Sequence, residues 1–208
     1  VFITFEGIEG CGKSTQARRL VNRLRDASVP VVFTLEPGGT RVGSYIRRIL
    51  LDSGNRSLSP LAELFLYEAD RAQHVEEKIR PALEQGKWVV CDRFFDATTV
   101  YQGFARGQDM KLVRNLNKRA CLGIRPDRTF LIDCPVEIGI KRALKRNEKD
   151  PEIDQDRFER EEMDFHEAVR KGYLIVAQED PERIVVLDCR LTEDELEAAI
   201  FERIRPFI

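Results

Sequence analysis

The chain lacks a long apolar run. Nothing in it approaches the roughly 18 consecutive apolar residues of a membrane helix, so no membrane span is expected. It also lacks an excess of charge: 34 Lys and Arg stand against 36 Asp and Glu, for a formal net charge of −2. A general nucleic-acid binder carries a clear basic surplus, so nucleic acid is not an expected partner and any phosphate ligand should be small and locally held. Cysteine is sparse and unpatterned. The five residues, Cys11, Cys91, Cys121, Cys134 and Cys189, form no C-x-x-C pair and are odd in number. That argues against a zinc site or a secreted disulfide framework and predicts reduced thiols. With no secretory leader visible, a cytoplasmic protein is expected. There is no internal repeat, low-complexity tract or linker, so residues 1–208 read as one domain, long enough for a real core.

What is present is organised around Gly7-Ile8-Glu9-Gly10-Cys11-Gly12-Lys13-Ser14, directly after the apolar run at 1–5. This is the P-loop spacing G-x-x-x-x-G-K-[S/T]. The glycines let the backbone turn with its N–H groups inward, where a side chain would obstruct a phosphate. A helix is expected from Lys13, adding orphan donors and a positive dipole end. Lys13 would reach the β/γ-phosphates, and the Ser14 hydroxyl would take a Mg²⁺ position. Cys11, inside the loop, is expected to carry an accessible thiol.

Strands are expected at 2–5, 31–34, 87–92, 128–133 and 184–188, with helices between them. Strand, loop, helix, strand is a βαβ unit, which predicts an α/β fold: a five-stranded parallel sheet with helices on both faces, of the P-loop NTPase kind. Ligands in such sheets bind beyond the carboxyl ends of the strands, so the residues just after each strand matter most. The run 31–34 reads as a strand covered on both faces. Beyond it, Glu36-Pro37-Gly38-Gly39-Thr40 is a turn. The helix after that turn is expected to bury Val42, Ile46, Ile49 and Leu50, leaving Arg47 off the stripe, either solvated or near the strand ends. In the helix opened by Ser59-Pro60, Tyr67 and Arg71 share a face. They would clamp a flat heterocycle or simply pair within the helix.

The third strand ends in Asp92, and an apolar strand ending in an acid after a P-loop points to a Mg²⁺-holding carboxylate. Arg93 follows. Residues 94–103, with Thr98, Tyr101 and Gln102, mix hydroxyls, an amide and rings suited to a nucleobase and sugar. Asn117-Lys118-Arg119-Ala120 lacks the acid of the guanine-reading N-K-x-D, which counts against a GTP switch. Residues 145–157 contain one strongly apolar residue, Ile153, and read as a solvated charge run or a lid. Arg142 and Arg146 lie four apart on the helix leading into it, an arrangement that favours an anion between them. Thr192 and Glu195 form a capping box for the last helix.

Taken together, Phe5-Glu6-Gly7 through Lys13-Ser14-Thr15, Glu36-Pro37-Gly38-Gly39-Thr40, Ala69-Asp70-Arg71-Ala72-Gln73-His74, Asp92-Arg93, Tyr101-Gln102-Gly103 and Asp164-Phe165-His166 resemble the thymidylate kinases. The likeness runs through the whole chain. It implies transfer of the γ-phosphoryl of ATP to dTMP, with Mg²⁺, in a homodimer. The P-loop, from Gly7 to Thr15, would hold ATP, and Arg142 would lie over its adenine. Tyr67 matches the aromatic that stacks on thymine, and Arg71 the residue that hydrogen-bonds the base, with Thr98 and Gln102 on the base side. Arg47 and Arg93 match the arginines on the substrate phosphate, Tyr101 the ring against the deoxyribose, and Glu9 the acid facing the sugar. The loop contains no arginine, so the likeness is to the type whose catalytic arginine comes from the lid, with Arg146 in that role. Lys13, Arg93, Arg146 and Glu9 would then be the catalytic set. Two positions depart from the pattern: Leu35 stands where Arg is usual, and Tyr67 where Phe is commoner. The family often has a cis bond before the position of Pro37. The competing readings are another nucleoside monophosphate or deoxynucleoside kinase, and a P-loop nucleotide-binding switch without transfer activity.

Overall fold

The computed structural model describes residues 1–55, 57–148, 157–158 and 161–208. Its strands are β1 (Phe2–Glu6), β2 (Val31–Leu35), β3 (Trp88–Asp92), β4 (Arg128–Asp133) and β5 (Ile184–Asp188). All pair in parallel, in the order β2-β3-β1-β4-β5. The register sets Phe5 beside Asp92 and Leu35 beside Asp92, so the carboxyl ends of β1, β2 and β3 finish together. β1 is buried along its whole length, as its central place requires. The run at 31–34 departs from expectation: β2 is the edge strand, and only Thr34 within it is fully buried.

The helices are α1 (Lys13–Asp26), α2 (Arg41–Leu51), α3 (Pro60–His74), α4 (Arg80–Glu84), α5 (Phe95–Thr98), α6 (Met110–Ala120), α7 (Val136–Asn147), α8 (Met163–Glu179) and α9 (Glu193–Ile204). Alternate β1 residues point to opposite faces. Ile3 and Phe5 meet Leu20 and Leu24 of α1 and Ile200 of α9, while Phe2 meets Val75, Ile79 and Phe94 on the other side. A third cluster packs Ile132 and Val100 against Val169, Tyr173 and Val176 of α8. The capping box of Thr192 and Glu195 at the start of α9 is formed in both directions.

Three elements differ from the expected pattern. The long helix from Pro60 widens into a π-helical stretch, Val75–Ile79, before α4. Pro81 follows two residues on, and a proline inside a helix removes one N–H and crowds the preceding turn, which a wider turn relieves. Residues 95–105, to which the sequence assigned no element, are helical as well: α5 runs into a second π-helical stretch, Thr99–Ala105. α2 is rotated from the expected face. Gly43 and Leu50 point inward, while Val42, Tyr45 and Ile49 are exposed. The cause is Gly43, whose missing Cβ would lie 2.2 Å from Asp70 Oδ1, so α2 approaches α3 on its smallest residue.

The lid expected at 145–157 falls largely outside the described residues, which include only 145–148 and 157 of it. Among the described residues, no helix is long and apolar enough to cross a membrane.

Candidate active site

A cleft of about 480 Å³ opens at the carboxyl ends of the strands. On one wall the P-loop turns through Gly7, Gly10 and Gly12, all at positive φ (138°, 68° and 100°). Gly10 is required for a second reason: a Cβ there would lie 2.0 Å from the carbonyl oxygen of Gly139, so α7 rests backbone against backbone on the loop. Lys13, the first residue of α1, is buried and donates from Nζ to the Ile8 carbonyl at 3.3 Å. Cys11 corrects the expectation of an accessible thiol. It is buried, a Cβ on Gly7 would meet its Sγ at 2.8 Å, and burial pushes the thiol pKa up.

Ser14 Oγ donates to Asp92 Oδ2, and Asp92 Oδ1 is buried without a hydrogen-bond partner among the described residues. One hydroxyl and one carboxylate with an unused lone pair suit a small hard cation that keeps its waters and binds phosphate oxygens.

Arg93 follows Asp92 with φ +71°, a left-handed conformation uncommon for a side chain of its size. The turn throws its guanidinium across the cleft. Nη2 donates to Glu9 Oε1 at 2.9 Å and the Tyr101 hydroxyl at 3.1 Å, and Nη1 donates to the Tyr173 hydroxyl at 2.9 Å. Tyr101 donates in turn to Glu9 Oε1 at 2.6 Å. Burial pushes Glu9 up, but Arg93 and Lys13 outweigh it and hold the carboxyl below its ordinary value. Beneath this layer, Tyr173 donates to Glu6 Oε2 at 2.8 Å and the Phe94 N–H donates to Glu6 Oε1 at 2.7 Å. Burial first, and Asp96 second, push Glu6 up to about 8.

Another part of the cleft is built on Arg71, which is 1 % exposed. Nε donates to Glu36 Oε2 at 3.0 Å, Nη1 to Glu68 Oε2 at 3.0 Å and Asn117 Oδ1 at 2.7 Å, and Nη2 to Thr98 Oγ1 at 2.9 Å. A guanidinium has five N–H donors, so one on Nη2 remains for a ligand. The other Glu36 oxygen meets His74 Nδ1 at 2.9 Å, while His74 Nε2 meets Thr34 Oγ1 at 2.6 Å. The Glu-Pro-Gly-Gly-Thr and Asp-Arg-Ala-Gln-His segments are thus one network, and the Glu36–Pro37 bond is cis. Arg47 Nη1 donates to the Pro37 carbonyl at 2.9 Å and crosses Gly38, where a Cβ would lie 2.9 Å from Arg47 Cδ. Burial lowers the Arg47 pKa. Tyr67 lines the same cleft, and burial with nearby Glu63 raises its hydroxyl pKa.

A family profile described as Thymidylate kinase matches residues 5–200. The chain belongs to the thymidylate kinase family. It is 55 % identical over 187 residues to a thymidylate kinase of Citrifermentans bemidjiense, covering 90 % of this chain and 83 % of the relative. It is 57 % identical over 189 residues to one of Desulfosudis oleivorans, covering 90 % and 88 %. The crystal structure of thymidylate kinase from Ehrlichia chaffeensis superposes with a TM-score of 0.78 at 32 % identity, covering 98 % of both chains. The five-stranded parallel sheet with flanking helices is therefore the P-loop fold of this family.

Most of the family-matched positions converge on one cleft. Glu9, Lys13, Ser14, Arg47, Tyr67, Arg71, Asp92, Arg93, Thr98, Tyr101, Gln102 and Arg146 all line it. Arg146 enters from the last turn of α7 and shares the Asn147 side-chain oxygen through Nε and Nη2, both at 3.2 Å. Arg142, one turn earlier, is exposed and is not among the lining residues. Leu35, the departure from the family pattern, forms an apolar part of the wall beside Phe33, and Arg18 of α1 lines the same region.

Sequence reasoning missed several contributors. Arg18 and Phe158 carried no motif. Asn117 stood out only as a failed guanine signature, yet it holds Arg71 and donates from Nδ2 to Thr99 Oγ1 at 3.0 Å. Only a buried polar position on the amphipathic α6 signalled it.

Proposed function

We propose that this cleft transfers the γ-phosphoryl of ATP to the 5′-phosphate of dTMP, giving dTDP and ADP, and that each lining residue has the role its position suggests. The acceptor is already an anion and needs no strong base. The difficulty is to bring two polyanions together, so positioning and electrostatics carry the catalysis. Lys13 and the loop amides hold the donor phosphates. Ser14 and Asp92 would hold Mg²⁺, which when bound neutralises charge on the phosphates. Arg47 and Arg93 hold the acceptor phosphate, Glu9 and Tyr101 face the sugar, and Tyr67 stacks on thymine while Arg71 donates to it. Arg146 closes from α7 over the transferring group, and Arg142 serves the ATP side. The observation that carries this reading is the meeting of Lys13 and Asp92 with Arg47 and Arg93 in a single cleft, with the Tyr67–Arg71 pair at its far end.

The chain works as one domain with a lid near 145–157, in the cytoplasm, where its five free thiols stay reduced. It pairs as a homodimer through the exposed stripe of Val42, Tyr45 and Ile49 on α2 with Leu61 and Phe65 on α3, since an apolar face of that kind marks an interface. Release of ADP from ATP is measured with a panel of nucleoside monophosphates and deoxynucleosides. Strong dependence on dTMP supports the reading, and ATP binding without acceptor-dependent ADP release contradicts it. Phe65→Glu should shift the sedimentation coefficient to that of a monomer.

A further inference from the structure

Glu63 has no part in the chemistry above, yet it is 0 % exposed at the edge of the base end. It lies in the first turn of α3. Its Oε1 accepts from Gln102 Nε2 at 2.8 Å and from Arg106 Nε at 3.4 Å, and its Oε2 accepts from Arg157 Nη2. Arg157 also donates to the Leu50 carbonyl at 2.7 Å. A carboxylate between two guanidinium groups is an acceptor only. Such a partner decides which way round a carboxamide lies: the Gln102 nitrogen must face Glu63, so its oxygen faces away. Gln102 is buried and lines the cleft, and among the described residues no donor meets its Oε1. One turn earlier, Thr98 holds Arg71 Nη2, whose remaining N–H is the donor left for a ligand.

We infer that Glu63 selects the base through Gln102, by fixing an acceptor, Gln102 Oε1, in the same pocket as the Arg71 donor. A donor and an acceptor complement the imide edge of thymine or uracil, in which an N–H sits between two carbonyls. With the acceptor set at ring position 3 and the donor at position 4, cytosine in the same pose is mismatched at both, because its ring nitrogen accepts and its exocyclic amine donates. This rests on reading the cleft as a monophosphate-acceptor site. Glu63 touches no substrate and is a positioning residue. Its second oxygen holds Arg157, which fixes the carboxylate from the other side.

The test measures kcat/KM for dTMP, dUMP and dCMP at saturating ATP. It uses the wild-type chain, Glu63→Gln, Gln102→Met and the double variant, with thermal unfolding to confirm folding. A glutamine at 63 offers either an oxygen or an amine, so Gln102 loses its single orientation. The wild type should prefer dTMP to dCMP by at least about a hundredfold, as a site built to hydrogen-bond one edge does. E63Q should narrow that ratio about tenfold, the worth of one oriented hydrogen bond, and should narrow it no further in the Q102M background. If E63Q alone does not fold, Glu63→Gln is combined with Arg157→Met, which removes the charge stranded opposite. Three results overturn the inference: equal use of dCMP and dTMP by the wild type, an unchanged ratio in E63Q with all acceptors falling together, or the same narrowing by E63Q without Gln102. A wild type that uses no pyrimidine monophosphate overturns the reading of the cleft itself.

Discussion

Replacing Arg71 with lysine separates its two duties. Four of its five donors are committed to Glu36, Glu68, Asn117 and Thr98, which leaves one for the base proposed to bind there. Alanine is a poor probe, because it strands the Glu36 and Glu68 carboxylates in a buried site at a cost of about 3–5 kcal/mol. Lysine keeps a positive charge, but its three donors radiate from one atom and cannot span four partners. At least two hydrogen bonds to charged groups should be lost, each worth roughly 1.5–3 kcal/mol, with part recovered by repacking, so we expect about 3 kcal/mol of lost stability in urea unfolding. The missing donor to the base should cost a further 1.5–3 kcal/mol in transition-state binding, or about 10- to 150-fold in kcat/KM for dTMP. Coupled ADP release is followed with dTMP varied at saturating ATP, then the reverse. The KM for ATP should stay within about twofold, since the donor phosphates are held elsewhere. Equal losses for both nucleotides, or an unchanged KM for dTMP, would remove Arg71 from the base pocket.

Arg146→Ala should lower kcat by at least about a hundredfold, as loss of an arginine on the transferring group does, with little change in ATP affinity by calorimetry. An unchanged kcat would end its assignment. Asp92→Asn removes charge but not size, and should raise the Mg²⁺ concentration for half-maximal activity about tenfold; an unaltered requirement would place the cation elsewhere. Glu6, pushed up to about 8 from an ordinary 4.5, stays protonated in the folded chain at pH values where the unfolded chain ionises it. Its stabilising contribution is fully present below 4.5 and is lost as pH rises through about 8, at no more than about 1.4 kcal/mol per pH unit. The urea midpoint should therefore fall between pH 5 and pH 8 more steeply in the wild type than in Glu6→Gln. Parallel slopes would contradict it.

The strands and the phosphate loop were legible because their signals are local: a short apolar run, then an acid or a glycine pattern, at the point where the chain must turn. α2 was not, because its apolar stripe faces out and its buried face is chosen by Gly43 against Asp70, a contact between distant segments. The helical character of residues 95–105 was hidden by Thr98, Thr99 and Val100, β-branched residues with weak helix propensity that tertiary packing overrides. Arg71 showed as a candidate, but its partners Glu36, Glu68, Thr98 and Asn117 arrive from four elements, and no spacing rule links them. Cys11 was misjudged for a similar reason: the close approach to Gly7 that covers its thiol exists only once the loop has folded over β4.

The meeting of Gly10 and Gly139 seats the helix that bears Arg146 directly on the glycine loop, backbone against backbone, as a shelf is set on its bracket. A methyl group added at Gly10 would meet only backbone of α7, and one at Gly139 would meet the Glu9 carbonyl oxygen at 2.5 Å and the Ile8 side chain at 2.7 Å, so either should shift α7 against the loop. Larger residues at these two positions are therefore the substitutions this helix should tolerate least.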